Sequence, residues 1–191
     1  MSNTNNFGIT SKRAHVIGNG PSWIDFKKID EDDFVIGCNV TKVKEANVTL
    51  MSDLKICYKI REGLAKVDVP ILANSKVASW LNEPKGQEAG LEVFATYSAA
   101  WERGKGPQLS SGHYAAEFAI ERLGINEVHV WGCDSLALDH TRSYTDEIKP
   151  SAAKDDEELQ IKTVKKWRKG WVDLQEKYPD AKIILHNLLS D

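Results

Sequence analysis

Five clusters of small and polar residues carry whatever chemistry this chain performs. The first is Gly18-Asn19-Gly20-Pro21-Ser22. Its glycines let the backbone turn sharply and approach a ligand closely. Ser22 can cap a following helix, whose open N–H groups would attract an anion. The same residues also read as a plain strand-to-helix turn. The run is neither GxGxxG nor a Walker loop, since no Gly-Lys-Ser/Thr follows it. The second cluster, Cys38-Asn39, offers an amide that can hydrogen-bond a ribose or a base, or simply turn the chain. In the third, Met51-Ser52-Asp53, the carboxylate can bind a ribose hydroxyl, ligate a metal or cap the next helix. The fourth, Leu109-Ser110-Ser111-Gly112, puts two hydroxyls and a glycine at a helix start. That suits a phosphate, a carboxylate or a carbonyl oxygen, and equally a serine cap. The fifth, Gly132-Cys133-Asp134, is followed by His140, Arg142, Ser143 and Tyr144. Arg and Tyr are natural phosphate partners, and His titrates near neutrality.

These clusters need elements to position them, and the hydrophobic pattern supplies them. Short β-branched runs at 14–18, 33–38, 46–51, 69–73, 91–95, 127–131 and 182–185 predict strands, bounded by Gly, Asp or Asn. Helical patterns lie between them at 53–65, 75–82, 111–123 and 155–178. In the third helix the polar residues His113, Glu117 and Glu121 form one narrow stripe on an otherwise apolar cylinder, which predicts burial. In the last, Val164, Trp167, Trp171, Leu174 and Tyr178 form a continuous apolar stripe, so both tryptophans are expected in the core rather than at a ligand. Trp80 and Trp101 read as exposed aromatics. Strand–helix alternation predicts an α/β fold: a single Rossmann-like domain, its sheet mostly parallel, with helices on both faces. Ligands of such folds sit beyond the carboxyl ends of the strands, where all five clusters fall.

Bulk composition fits that reading. The chain has 191 residues, 41% of them hydrophobic and 28% charged, an ordinary globular balance. One domain over 12–191 is expected, after a disordered lead at 1–11. A net charge of −3 argues against binding duplex nucleic acid through its phosphates. Cys38, Cys57 and Cys133 are odd in number and contain no CxxC, so neither a disulfide framework nor a cysteine zinc site is expected. All three are expected as reduced thiols, with Cys38 and Cys133 near each other at adjacent strand ends. The polar N-terminus and the lack of a long apolar run predict a cytoplasmic protein with no membrane span.

Taken together, Gly18-Asn19-Gly20-Pro21-Ser22, the strand ending at Asn39, Ser110-Ser111-Gly112-His113-Tyr114, Gly132-Cys133-Asp134 and Ser143-Tyr144 follow one another at a familiar spacing. The chain resembles the bacterial lipooligosaccharide sialyltransferases over residues 13–146. That resemblance implies a CMP-sugar donor on a Rossmann-like domain that needs no metal. It implies that Asn19 and Asn39 contact the nucleotide, with Gly18, Gly20 and Ser22 shaping the loop. Ser110, Ser111 and Gly112 would line the pocket, Gly132 and Asp134 would lie near the cytidine, and Tyr144 would hold the phosphate. Three positions depart from the family pattern. Ser52-Asp53 replaces an Asn-Pro turn, Leu136 replaces a tyrosine, and 147–160 contain no histidine where the family places its catalytic base. A weaker resemblance, to archaeal hydroxymethylpterin pyrophosphokinase-like proteins, implies Asp53 and Asp134 holding Mg²⁺ with a nucleoside triphosphate.

The leading expectation is a nucleotide-sugar-dependent, inverting glycosyltransferase acting on an acceptor of unspecified chemistry. His140 is the first candidate for its base and His113 the second, with Tyr144, Arg142 and the helix start at Ser111 meeting the phosphate charge. A magnesium–nucleotide enzyme and a non-catalytic nucleotide-binding protein are the alternatives.

Overall fold

All seven short β-branched runs become strands of one sheet. The computed structural model describes residues 6–98, 109–136, 143–148 and 155–186. The strands are β1 Arg13–Ile17, β2 Phe34–Cys38, β3 Val48–Met51, β4 Ile71–Ala73, β5 Val93–Thr96, β6 Glu127–Trp131 and β7 Lys182–Leu185. Their order is β5-β4-β3-β2-β1-β6-β7, and every neighbouring pair is parallel. The helices are α1 Leu54–Arg61, α2 Ser75–Leu81, α3 Pro84–Gln87, α4 Ser111–Glu121 and α5 Glu157–Lys177. Short 3-10 turns at Pro21–Asp25, Asp134–Leu136 and Tyr144–Glu147, together with α3, are the elements the periodicity does not announce.

Alternation along each strand sends side chains to two covered faces. On one face Ala14, Val16, Ile36, Leu50, Val128 and Val130 pack against α4 and against Trp171 and Leu174 of α5. On the other, Met51, Ile71 and Ala73 meet Ile56 and Cys57 of α1 and Val77 and Trp80 of α2. Beside them, Ile17 and Val35 are covered by Val43 and Ala46, with Trp23, Phe26 and Trp131 packed around them. The protein is thus a Rossmann-like α/β domain. Among the described residues, no helix is long and apolar enough to cross a membrane.

His113 and Glu117 of the polar stripe of α4 face α5 rather than water, while Glu121 is exposed and accepts the Tyr97 hydroxyl at 2.6 Å. His113 Nε2–H donates to the Trp167 carbonyl at 2.9 Å, and buried Glu117 pairs with Lys177. Polar groups at this seam are satisfied helix to helix, so α4 can be almost wholly buried.

Four expectations are corrected. Trp80 is 6% exposed and meets Tyr58 edge-on, because α2 turns its apolar side onto β4; Trp101 lies outside the described residues. Phe7 stacks on Phe94 at 5.2 Å and Ile9 packs on the same core, so chain read as disordered lead is tethered from Phe7. The three cysteines are free thiols, but β1 lies between β2 and β6, so Cys38 and Cys133 flank a strand rather than ending adjacent ones. Of the α5 stripe, Trp171 is buried in the core while Trp167 is only half-buried.

Candidate functional site

The strand order reverses beside β1, with β2 on one side and β6 on the other. The carboxyl edge of the sheet at such a switch is the usual ligand position. A cavity of about 310 Å³ occupies it. Gly18, Asn19, Gly20, Asn39, Asp53, Ser110, Ser111, Gly112, Gly132 and Asp134 all line this cavity. Residues scattered over 117 positions of sequence meet because parallel strands put all their carboxyl ends on one edge.

The glycines are needed for a close approach between two loops. Gly18 N–H donates to the Trp131 carbonyl at 2.7 Å and Gly20 N–H to the Gly132 carbonyl at 2.8 Å. A Cβ at Gly18 would fall on the Gly132 carbonyl oxygen, and one at Gly20 would lie 2.5 Å from Asp134 Oδ2. Gly132 itself sits at φ +64°, where an L side chain is strained.

Asp134 fastens this assembly. It is 4% exposed; Oδ2 accepts the Ser22 N–H at 2.9 Å and Oδ1 accepts the Ser22 hydroxyl. Ser22 therefore does not cap a helix as the sequence suggests. It lies inside the 3-10 turn, below the cavity surface, and Asp134 takes its donors. Asp53 is both things at once: it lines the cavity and caps α1, accepting the Lys55 N–H at 2.9 Å. Asp53 and Asp134 thus each spend carboxylate oxygens on donors of this chain, the Lys55 N–H and Ser22.

On the β2 side, Asn39 is held at φ +54°, the one non-glycine with positive φ among the described residues. Asn tolerates this region better than other side chains, and such backbone strain gathers at functional sites. Its Nδ2 donates to Ser111 Oγ at 3.4 Å, and Ser111 Oγ also meets Ser52 Oγ at 2.8 Å. The amide oxygens of Asn39 and Asn19 are both buried with no hydrogen-bond partner among the described residues. Unsatisfied acceptors of this kind are costly and therefore informative.

His113 does not line the cavity. It is 1% exposed, stacked on Trp171 at 4.2 Å, with Nδ1 accepting the Ser110 N–H at 3.2 Å and Nε2 bonded to the Trp167 carbonyl. Burial lowers its pKa to about 4. With both nitrogens occupied it has no face for a substrate hydroxyl. A histidine in a helix first turn signals a base by type; only its partners show it locking α4 to α5. Burial and the neighbouring Asp134 charge push the Cys133 thiol up to about 12, and burial with the Cys133 charge pushes Cys38 well above its usual range, so neither is a nucleophile at neutral pH.

His140 and Arg142 lie outside the described residues. Tyr144 opens the turn Tyr144–Glu147, and its side chain also lies outside them. Its neighbours Ser143 and Thr145, with Asp146, line the cavity. Thr145, Asp146, Ser135, Trp167 and Trp171 are lining residues that reading of the sequence misses. For the first three the only signal is proximity to Tyr144 or Asp134. For Trp167 the apolar stripe points the wrong way.

Fold and site together define a Rossmann-like domain with a ligand-sized cavity at its topological switch point. No model of a known protein family matches the chain, and no curated protein matches it. Among solved structures, the chain is similar to a tyrosine-to-phenylalanine variant of the sialyltransferase CST-II in complex with CMP. The TM-score is 0.53 at 14% identity, covering 94% of this chain and 82% of that one. It is also similar to the sialyltransferase CstII from Campylobacter jejuni in complex with cytidine-5'-monophosphate. Here the TM-score is 0.50 at 16% identity, covering 94% and 81% of the two chains. At these identities the likeness is one of fold.

Proposed function

We propose that the chain is a sialyltransferase-like glycosyltransferase with a CMP-sugar donor. The observation that carries this is the pair of buried amide oxygens, Asn19 Oδ1 and Asn39 Oδ1, left without partners in residues that line the switch-point cavity. Amine and hydroxyl donors of a nucleoside would satisfy them. The fold shared with CMP complexes supports the same choice of ligand.

In this reading the base takes a proton from the acceptor hydroxyl, and that oxygen attacks the anomeric carbon. The bond from that carbon to the phosphate oxygen breaks, and CMP leaves with the electron pair. Configuration inverts. The α4 N-terminus at Ser111, Arg142 and Tyr144 would meet the phosphate charge. His140 would be the base, with Asp139 to orient its ring; both His113 nitrogens are hydrogen-bonded within the chain, which favours His140 for that part. Its removal by His140→Ala would lower turnover by roughly 10²–10⁴ and leave CMP affinity nearly unchanged.

Thermal unfolding with CMP, UDP, GDP, ADP and ATP, each with and without Mg²⁺, tests the reading. CMP at 100 times its Kd should stabilise by about 2.7 kcal/mol, with or without magnesium. Stabilisation by ATP alone, and only with Mg²⁺, would replace this reading with a magnesium–nucleotide enzyme. CMP binding without transfer to any sugar acceptor would leave a nucleotide-binding protein.

A further inference from the structure

We infer that Trp167 is the stacking platform for a pyranose ring in the cavity, an inference that rests on the glycosyltransferase reading above. Four observations lead there.

The first is its isolation. Trp131 donates its indole N–H to His15 and stacks on His186; Trp171 stacks on His113; Trp80 meets Tyr58. Trp167 lines the cavity half-buried, and among the described residues its indole has neither a ring partner nor a hydrogen bond. A large aromatic surface open to a cavity, with a donor at its edge, matches a sugar. The C–H face of a pyranose packs on the electron-rich ring face, and the rim hydroxyls take the N–H.

The second is rigidity. The Trp167 carbonyl accepts from His113 Nε2, and the next residue, Arg168, donates from Nε to the Ser135 carbonyl at 2.9 Å. One turn of α5 is thereby pinned to both α4 and the loop after β6. Gly170 leaves room for this, since a Cβ there would lie 2.9 Å from His113 Nε2. A fixed platform costs little ordering on binding.

The third is position. Asn39, Ser52 and Asp53 follow β2 and β3, at one end of the row of strand ends. Trp167 lies at the other, against the loop that follows β6. A nucleoside held by the asparagines would extend toward Trp167.

The fourth is company. Ser135, Ser143 and Thr145 also line the cavity, bringing hydroxyls that suit a sugar rim, those of Ser143 and Thr145 bonded to each other at 2.6 Å.

Two pyranoses could use the platform, that of the donor or that of the acceptor, and two measurements separate them. Kd is measured for CMP and for a non-transferable CMP-sialic acid analogue, and KM for a lactose acceptor, in the wild-type, Trp167→Ala and Trp167→Phe proteins. In Trp167→Ala, CMP should bind as in the wild type. A donor platform predicts about tenfold weaker binding of the CMP-sugar, and an acceptor platform an acceptor KM raised about tenfold; Phe should restore part of either loss. Equal weakening of CMP and CMP-sugar, or no change in any of the three constants, would overturn the inference. A second measurement uses the wild-type fold. In the indole N–H spectrum, with the Trp167 resonance assigned through Trp167→Phe, millimolar N-acetylneuraminic acid or lactose should shift that resonance. A shift with free sugar but no CMP binding keeps the platform and sinks the CMP-donor reading. CMP binding with a Trp167 signal unmoved by either sugar does the reverse.

Discussion

His113 carries a polar side chain where the fold permits no water, and its titration follows from that. Burial holds its pKa at about 4, below the ordinary 6.5. The unfolded chain therefore takes up a proton before the folded one does as pH falls. Stability should be intact above pH 6.5 and decline between there and pH 4, by about 3 kcal/mol from this residue. His15 and His186 are lowered by burial too and add in the same direction. Urea unfolding of His113→Gln across that range should show a shallower decline than the wild type, on a lower plateau. Gly18 offers a second test at this scale. Its Cβ would collide with the Gly132 backbone, which has no flexible end to move. Gly18→Ala should cost about 1–3 kcal/mol, seen as a melting temperature lowered by about 2–4 °C per kcal/mol. A wild-type melt would mean the two loops are further apart.

Among the elements, α5 matters most because it serves two neighbours. Its Trp171 and Leu174 complete the core over α4, and Trp171 and Trp167, one turn earlier, both line the cavity. Trp171→Ala should cost about 3–5 kcal/mol, since the indole is buried and its stack on His113 is lost as well. Trp167→Ala should cost distinctly less in the same chemical melt, because part of that indole faces open space. The turn Pro21–Asp25 depends on a single side chain of another loop. Asp134→Ala would leave the Ser22 N–H and hydroxyl buried without their acceptor, worth about 1–3 kcal/mol. If the turn opens, the affinity of the cavity for CMP should fall with the melting temperature; unchanged values for both would show that Ser22 finds another partner.

Over the whole molecule, burial governs reactivity. Burial pushes Cys57 and Cys133 up to about 12, with the Asp53 and Asp134 charges adding to it, and burial lifts Cys38 well above its ordinary range. At pH 8 all three should react with iodoacetamide far more slowly in the native protein than in urea, as intact-mass spectra would show. Rapid native labelling of Cys133 would mean the loop after β6 opens readily. The sheet order sets the shape of the cavity. The loops after β1, β2, β3 and β6 leave the same edge, and the strand order reverses there beside β1.

The parallel sheet was readable from the chain itself. Its strands are short uninterrupted apolar runs, and such runs need cover on both faces whatever their partners. Local caps such as Asp53 on α1 were equally readable, since donor and acceptor lie two residues apart. The clustering of Asn19, Asn39, Ser111 and Asp134 followed from the strand ends alone. Other features depended on partners distant in sequence. Asp134 and Ser22 are 112 residues apart, and nothing in either loop names the other. Trp167 and Trp171 occupy one helical stripe, and periodicity assigns them the same face. Only the place where α4 begins beneath α5 buries Trp171 at the cavity's edge and leaves Trp167 half-buried beside it. His113 likewise reads as a base by type and becomes a helix lock by position. Periodicity determines which side of an element is covered; the tertiary packing decides what covers it, and that is where the site's chemistry is settled.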